Sequence, residues 1–395
     1  MKENYQQHRN RKYILFHKTT TAILAVAVLL LTLKLYNVNG ANVYLSEEMH
    51  RLQGQNDEIQ ERNQEIQEQN REMQEQNQEM LEQTHKMQEE IDALSTETAF
   101  SRLTVKGTLL YDELNNPVVL RGMSSHGIAW YPEYTNYQAL RTLKDYGANV
   151  FRIAMYVDQN DGYLEEPELN KKLMYTAIEN SQAAGLYTIV DWHVLRDENP
   201  NKNIEQALLV FEEIAKRYGD APGILYEICN EPNGDTDYAE IKKYADQVIP
   251  VIRKYAPHAV ILVGTPKFCT SLTGAIEDPI EYPNIMYTYH YYAGISDCQF
   301  AMEEISRGLE QGLPVFISEW GLDGYEVTEE HREETKSFLD FLEQKQISWV
   351  NWSFSNKDEG YSMIAPDSDK LYGWTQEELT DTGRFVLSYL SRADR

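Results

Sequence analysis

From residue 101 onward the chain repeats one pattern eight times: a short apolar run, then an amphipathic helical stretch. Strands separated by helices cannot pair as hairpins and come together in parallel, so this alternation constrains the fold more than any other feature. The apolar runs stand near 118–124, 149–155, 187–193, 224–230, 259–265, 285–291, 314–319 and 348–354. Stretches such as NYQALRTLKDYG, ELNKKLMYTAIENSQAAG, IEQALLVFEEIAKRYG and YAEIKKYADQVIPVIRKYAP carry the helical period between them. Gly147, Gly185 and Gly219 stand where helices would be capped. Eight such units over 101–395 predict an α/β protein, a (β/α)8 barrel. A doubly wound sheet is the alternative, but it asks for a glycine-rich phosphate loop after an early strand, and none occurs. A hairpin over LTVKGTLLYDELNNPVVLRG, turning at Asn115-Asn116-Pro117, is predicted to lead in.

A barrel of this kind gathers its working groups at the C-terminal ends of its strands. Seven of the eight predicted strands end on polar or aromatic residues. The first ends in Ser124-Ser125-His126, the second carries Arg152, and the third ends in Asp191-Trp192-His193. The fourth ends in Asn230-Glu231, the sixth carries His290 and Tyr292, the seventh ends in Ser318-Glu319-Trp320, and the eighth carries Trp352. Two of these groups are glutamates on opposite sides of the predicted mouth. Paired carboxylates across a cleft suit glycoside hydrolysis, one as acid/base and one as nucleophile, and flat aromatics offer faces to sugar rings. Glu227 and Asp191 read as barrel-interior support, and Trp192, Trp320 and Trp349 as packing.

Other chemistries lack their signatures. There is no G-x-S-x-G elbow, no H-E-x-x-H and no phosphate-binding loop. No metal site and no cofactor are called for. Cys229, Cys269 and Cys298 are too few and too irregularly spaced for a disulfide framework or a zinc site. An apolar content of 42% supports a substantial core, and a formal charge of −27 excludes nucleic acid as the expected partner.

The segments FRIAMY, DWHVL, YEICNEPNG, YTYHYY, PVFISEWG and VNWSFSNK, with RGMSSHGIAWY before them, resemble glycoside hydrolase family 5, and within it the bacterial endoglucanases. The resemblance covers about 101–395. It implies a retaining endo-β-1,4-glucanase with Glu231 as acid/base and Glu319 as nucleophile. It further implies that Asn230 bonds the sugar 2-hydroxyl, Arg152 holds the nucleophile and depresses its pKa, Tyr292 supports the nucleophile, and His290 supports the acid/base. His193 and Trp352 would line the cleaved-sugar subsite, and His126, Trp130, Tyr156, Lys357 and Glu359 the non-reducing side. Mannanase or xyloglucanase activity on the same fold is the nearest alternative, and a non-catalytic glucan-binding protein a more distant one. After Tyr292 the chain reads Ala293-Gly294-Ile295-Ser296-Asp297 where the related glucanases typically have Ala-Ala-Thr-His, so a loop beside the cleft differs and the resemblance does not carry over leaving-group-side contacts or chain-length preference.

The first hundred residues carry a separate organisation. A basic tail (1–18) precedes an apolar run, TTTAILAVAVLLLTLKL, with Lys34 its one charge. This predicts a signal anchor over 19–36, the N-terminus cytoplasmic and the rest of the chain outside; a cleaved signal peptide, giving a secreted protein, is the alternative. Residues 45–95 follow a heptad. Leu45, Leu52, Ile59, Ile66, Met73, Met80, Met87 and Leu94 recur every seventh position, with Asn56, Asn63, Asn70 and Asn77 at the other seam position. Asparagine there fixes register and favours a parallel dimer, so a coiled-coil stalk roughly 75 Å long is predicted, with a solvated spacer the alternative.

Overall fold

The computed structural model describes residues 100–322 and 328–391, and stretches of helix within 18–30 and 51–73. By its internal contacts the chain divides into two units, 1–88 and 89–395.

In the second unit eight parallel strands close into a barrel: β4 (Arg121–Ser125), β5 (Val150–Tyr156), β6 (Tyr187–His193), β7 (Ile224–Glu227), β8 (Ile261–Val263), β9 (Ile285–Tyr292), β10 (Val315–Gly321) and β11 (Trp349–Phe354). Each pairs with its neighbours in sequence, and β11 closes on β4. Helices α1 (Tyr137–Asp145), α2 (Pro167–Ala183), α3 (Ile204–Tyr218), α4 (Tyr238–Arg253), α5 (Cys298–Glu310), α6 (Glu329–Lys345) and α7 (Asp381–Leu390) are long enough to cover the outer face. The predicted barrel is present, with strand ends displaced by a few residues.

Side-chain alternation sorts each strand into an outward and an inward set. On β5, Phe151, Ile153 and Met155 join the core beneath the helices, while Val150, Arg152, Ala154 and Tyr156 do not. Val150, Ile189, Leu225, Leu262, Met286, Phe316 and Val350 form an apolar floor inside the barrel. Two residues further along the same strands the inward positions become Arg152, Asp191, Glu227, Thr288 and Ser318, all fully buried. A polar layer therefore rests on an apolar one, and the strand exits lie above both.

The lead-in differs from expectation. It is a three-stranded antiparallel sheet, β1 (Thr104–Lys106), β2 (Leu109–Tyr111) and β3 (Pro117–Val118), with one turn at Gly107 and another through Asn115. Val118, predicted in the first barrel strand, belongs to this sheet instead. Leu103 and Leu110 join the apolar floor, so the sheet closes the barrel at its N-terminal end. Cys229, Cys269 and Cys298 are free and buried; Trp192, Trp320 and Trp349 are packed in the core, as read from the sequence.

In the first unit, helix is described over 20–28 and over 51–63, with scattered positions to 73. The rest of the predicted 19–36 anchor and of the 45–95 heptad lies outside the described residues. Among the described residues no helix is long and apolar enough to cross a membrane. Ile23, Val26 and Val28 are exposed, as are the seam residues Ile59, Ile66 and Met73.

Candidate active site

The strand ILYE (β7) stops at Glu227, earlier than its apolar run implies. The chain then leaves the ladder with β8 and binds the end of β6: Asn230 N donates to Trp192 O at 3.1 Å and Glu231 N to Val194 O at 3.1 Å. Gly264 permits this exit. A Cβ there would meet Cys229 O at 2.4 Å, Asn230 O at 2.8 Å and Pro232 Cδ at 2.9 Å, so only glycine lets β8 approach the turn that presents Glu231.

Glu319 reaches the same space by another device. The ladders on both sides of β10 shift register between Phe316 and Trp320. Such a bulge lets consecutive residues depart from strict alternation. Ser318 and Glu319 consequently both bond to groups inside the barrel.

Arg152 ties the site together from β5 and is fully buried. Nη1 donates to Glu319 Oε2 at 3.1 Å, Nε to Glu227 Oε2 at 2.6 Å and Nη2 to Asn230 Oδ1 at 2.6 Å. Asp191 Oδ2 lies 3.0 Å from Nη2. Burial works against the guanidinium charge, yet Asp191, Glu227 and Glu319 hold its pKa above the ordinary value. The tyrosine hydroxyl of Tyr292 donates to the other oxygen of Glu319. Glu231 Oε1 lies 2.9 Å from His290 Nδ1.

The two carboxyls are therefore held differently. Burial raises the Glu231 pKa to about 8, with Arg152 opposing and Asp191 and Glu227 adding. Burial raises Glu319 as well, against His290 and Arg152, which favour its charged form. The sequence reading had Arg152 depressing Glu319; Arg152 does pull in that direction, but desolvation outweighs it. Burial also lowers His290 to about 4.

A second cluster adjoins the first. His193 donates Nδ1–H to Asp191 Oδ2 at 2.6 Å, because Nε2 accepts from the Asn230 amide at 3.2 Å. Its ring stacks on Trp352 at 5.4 Å and lies 4.1 Å from that of Tyr156. Tyr156 leads to Trp130 at 4.5 Å, and His126 packs 5.0 Å from Trp352. His126 Nδ1 accepts from Gly127 N; its Nε2 lies 3.3 Å from Lys357 Nζ and 3.7 Å from Glu359, and Lys357 pairs with Glu359 at 2.6 Å. Every residue to which the family resemblance assigned a site role thus lies in one of these two groups. The Asn230 amide is taken up within the protein, so a sugar hydroxyl has to displace or share one of its longer bonds.

Glu231, His290 and Glu319 bring one ligand atom each within 4.8 Å of one another, close enough among the described residues to hold a cation. Arg152 and Tyr292 on Glu319 and Ser318 on His290 already occupy this set, so it does not present an open ligand shell.

Sequence reading missed Phe268. Thr265 leads into a turn in which Lys267, Phe268 and Cys269 all adopt positive φ, and Phe268 is left 49% exposed. Phe268 N donates to Pro232 O at 3.1 Å, and Cys269 Sγ donates to Asn230 O at 2.9 Å, fastening the turn to the Glu231 exit. Lysine, phenylalanine and cysteine carry no bias toward this conformation, so no signal pointed to it. Ser318, also missed as a bonding group, sits between Glu227 and His290. The unusual loop after Tyr292 hangs from that residue: Ile295 N and Ser296 N donate to Tyr292 O, and Ile295 is 75% exposed.

Comparison with known proteins agrees on one family. The model of the cellulase family (glycosyl hydrolase family 5) matches residues 111–358. Endoglucanase A of Butyrivibrio fibrisolvens is 40% identical over 300 residues, 74% of this chain and 69% of that protein. An endoglucanase of Clostridium saccharobutylicum is 39% identical over 298 residues, 74% of this chain and 66% of that protein. The catalytic domain of Thermobifida fusca endoglucanase Cel5A, solved with cellotetraose, superposes with a TM-score of 0.70 at 33% identity. It covers 74% of this chain and 97% of the other.

Proposed function

Because the chain belongs to glycosyl hydrolase family 5, we propose that it is an endo-β-1,4-glucanase in which Glu231 is the acid/base and Glu319 the nucleophile of a retaining double displacement. The observation that carries this is the approach of the two carboxyls. An oxygen of Glu231 and one of Glu319 lie within 4.8 Å. Retaining pairs stand about 5–5.5 Å apart between carboxyl groups, whereas inverting pairs leave about 6.5–9.5 Å for a water.

In the first step Glu319 attacks the anomeric carbon while Glu231 gives its proton to the departing glycosidic oxygen. A covalent glycosyl-enzyme results. In the second, Glu231, now a carboxylate, takes a proton from water as that water attacks the same carbon and Glu319 leaves. Arg152 and Tyr292 each give a hydrogen bond to Glu319, which favours the ionised nucleophile and steadies it as a leaving group. A raised pKa keeps Glu231 protonated for the first step at neutral pH. Trp352 and His193 line the cleaved-sugar subsite, and Tyr156, Trp130 and His126 supply ring faces on the non-reducing side, with Lys357 and Glu359 at its edge. Phe268, on the β8 exit between the Glu231 and Tyr292 strands, adds an exposed aromatic ring beside the turn that carries Glu231.

Reducing-sugar release from carboxymethyl cellulose, mannan and xyloglucan, by the parent and by Glu319→Gln, tests the reading. Release chiefly from cellulose, lost in the variant, is expected. Equal release by parent and variant overturns the glutamate assignment, and a preference for mannan or xyloglucan overturns the substrate.

We further propose that residues 19–36 anchor the protein in the cell membrane with the catalytic unit outside, and that 45–94 joins two copies in parallel. The exposed apolar residues of the first unit support both: Ile23, Val26 and Val28 ask for an apolar surrounding, and Ile59 and Ile66 for a partner helix.

A further inference from the structure

Glu227 takes no direct part in the double displacement, yet it ends an unbroken line of hydrogen bonds that starts at Glu231. Glu231 Oε1 is 2.9 Å from His290 Nδ1, His290 Nε2 is 3.0 Å from Ser318 Oγ, and Ser318 donates to Glu227 Oε1 at 2.6 Å. His290, Ser318 and Glu227 are buried.

Counting protons gives the line a direction. A serine hydroxyl has one proton. Ser318 gives it to Glu227, so Ser318 can only accept from His290, and the imidazole proton sits on Nε2. Burial keeps His290 neutral, so Nδ1 presents a lone pair to Glu231. A carboxylic O–H satisfies that lone pair, whereas a carboxylate oxygen at 2.9 Å repels it. We infer that Glu227 is a positioning residue which, through the Ser318 hydroxyl and one tautomer of His290, holds the acid/base in its protonated form. This rests on Glu231 being the acid/base.

The reverse order holds the same number of protons. In it Glu227 is protonated, Ser318 donates to His290 Nε2, and His290 donates Nδ1–H to an ionised Glu231. Three one-step transfers connect the two: from Glu231 to Nδ1, from Nε2 to Ser318, and from Ser318 to Glu227. What surrounds Glu227 selects the order. It faces Arg152 from β5, Asp191 from β6, His290 from β9 and Ser318 from β10. Burial and Asp191 raise the Glu227 pKa, and the Arg152 Nε–H at 2.6 Å opposes them by favouring its charge, while among the described residues the side chain of Glu231 has only the neutral His290 imidazole as its partner. The elevated pKa of Glu231 agrees with that order.

Two variants and one spectrum test this in the full-length chain. In Glu227→Gln the amide gives an N–H to Ser318, which turns the hydroxyl toward Nε2 and reverses the line. The alkaline limb of kcat/KM should then fall by about one pH unit. Ser318→Ala cuts the line but leaves the charge of Glu227 in place, and its limb should fall as well. In 15N-histidine-labelled protein, His290 should carry its proton on Nε2 in the parent and on Nδ1 in Glu227→Gln. A parent His290 protonated on Nδ1, or a limb that stays put in Ser318→Ala, overturns the inference. If instead Glu231→Gln keeps the parent's activity, the acid/base reading fails, and the tautomer measurement stands apart from that result.

Discussion

Glu231 and Glu319 have the same carboxyl group and differ in what touches it. Glu319 receives hydrogen bonds from Arg152 and Tyr292, while Glu231 is paired with a neutral imidazole in a place that burial makes costly for charge. From this a pH profile follows. Because the acid must be protonated in the first step, kcat/KM should decline as pH rises through about 8. Tyr292→Phe removes one donor from the nucleophile, which raises its pKa, so the acidic limb should move to higher pH with the alkaline limb unchanged. A pH–rate series on the two proteins checks both. Stability should show the same asymmetry. A carboxyl whose folded pKa is raised contributes stability below its unfolded value, lost as pH rises through the folded value. Glu231→Gln should therefore melt higher than the parent at pH 9, and the gain should vanish by pH 4; thermal melts at both pH values decide it. At this scale the working residues were legible because their types are selective at strand ends. Their sharing was not: nothing in the order of residues says that Arg152 divides itself among Glu319, Glu227, Asp191 and Asn230.

The elements explain how residues distant in sequence are aimed at one point. Exit from β7 depends on the missing side chain of Gly264, and Glu319 depends on the irregularity in β10. Gly264→Ala would place a methyl within 2.4 Å of Cys229 O. It should destabilise the fold by about 1–3 kcal/mol and lower kcat more than it raises KM, since Glu231 moves while the aromatic cluster stays. Chemical denaturation and steady-state kinetics separate the two effects. Phe268→Ala should do the reverse, raising KM for long glucans about 2- to 12-fold, the ~0.5–1.5 kcal/mol of one lost ring contact, with little change in stability. Alternation of apolar runs and helices disclosed the barrel because burial on both faces imposes continuous apolar strands. It concealed the irregular parts. Val118 is as apolar as its neighbours, so the boundary between lead-in sheet and barrel left no mark, and the left-handed turn at Phe268 is built from residues that do not advertise it.

At the scale of the whole chain, a family 5 barrel follows a segment of quite different texture. If the heptad pairs two copies, sedimentation of a chain beginning near residue 40 should give a dimer and one beginning near 100 a monomer; monomers in both leave 45–94 a spacer. If 19–36 is retained, the full-length protein should fractionate with membranes and a chain lacking residues 1–40 should not. The central claim concerns the mouth of the barrel, where an oxygen of Glu231 and one of Glu319 lie within 4.8 Å, a spacing that suits a retaining pair. Proton NMR of cellotetraose cleavage, followed within the first minutes, reads the anomer formed before mutarotation. Retention through a glycosyl-enzyme on Glu319 predicts the β-anomer first, and first appearance of the α-anomer would contradict the account.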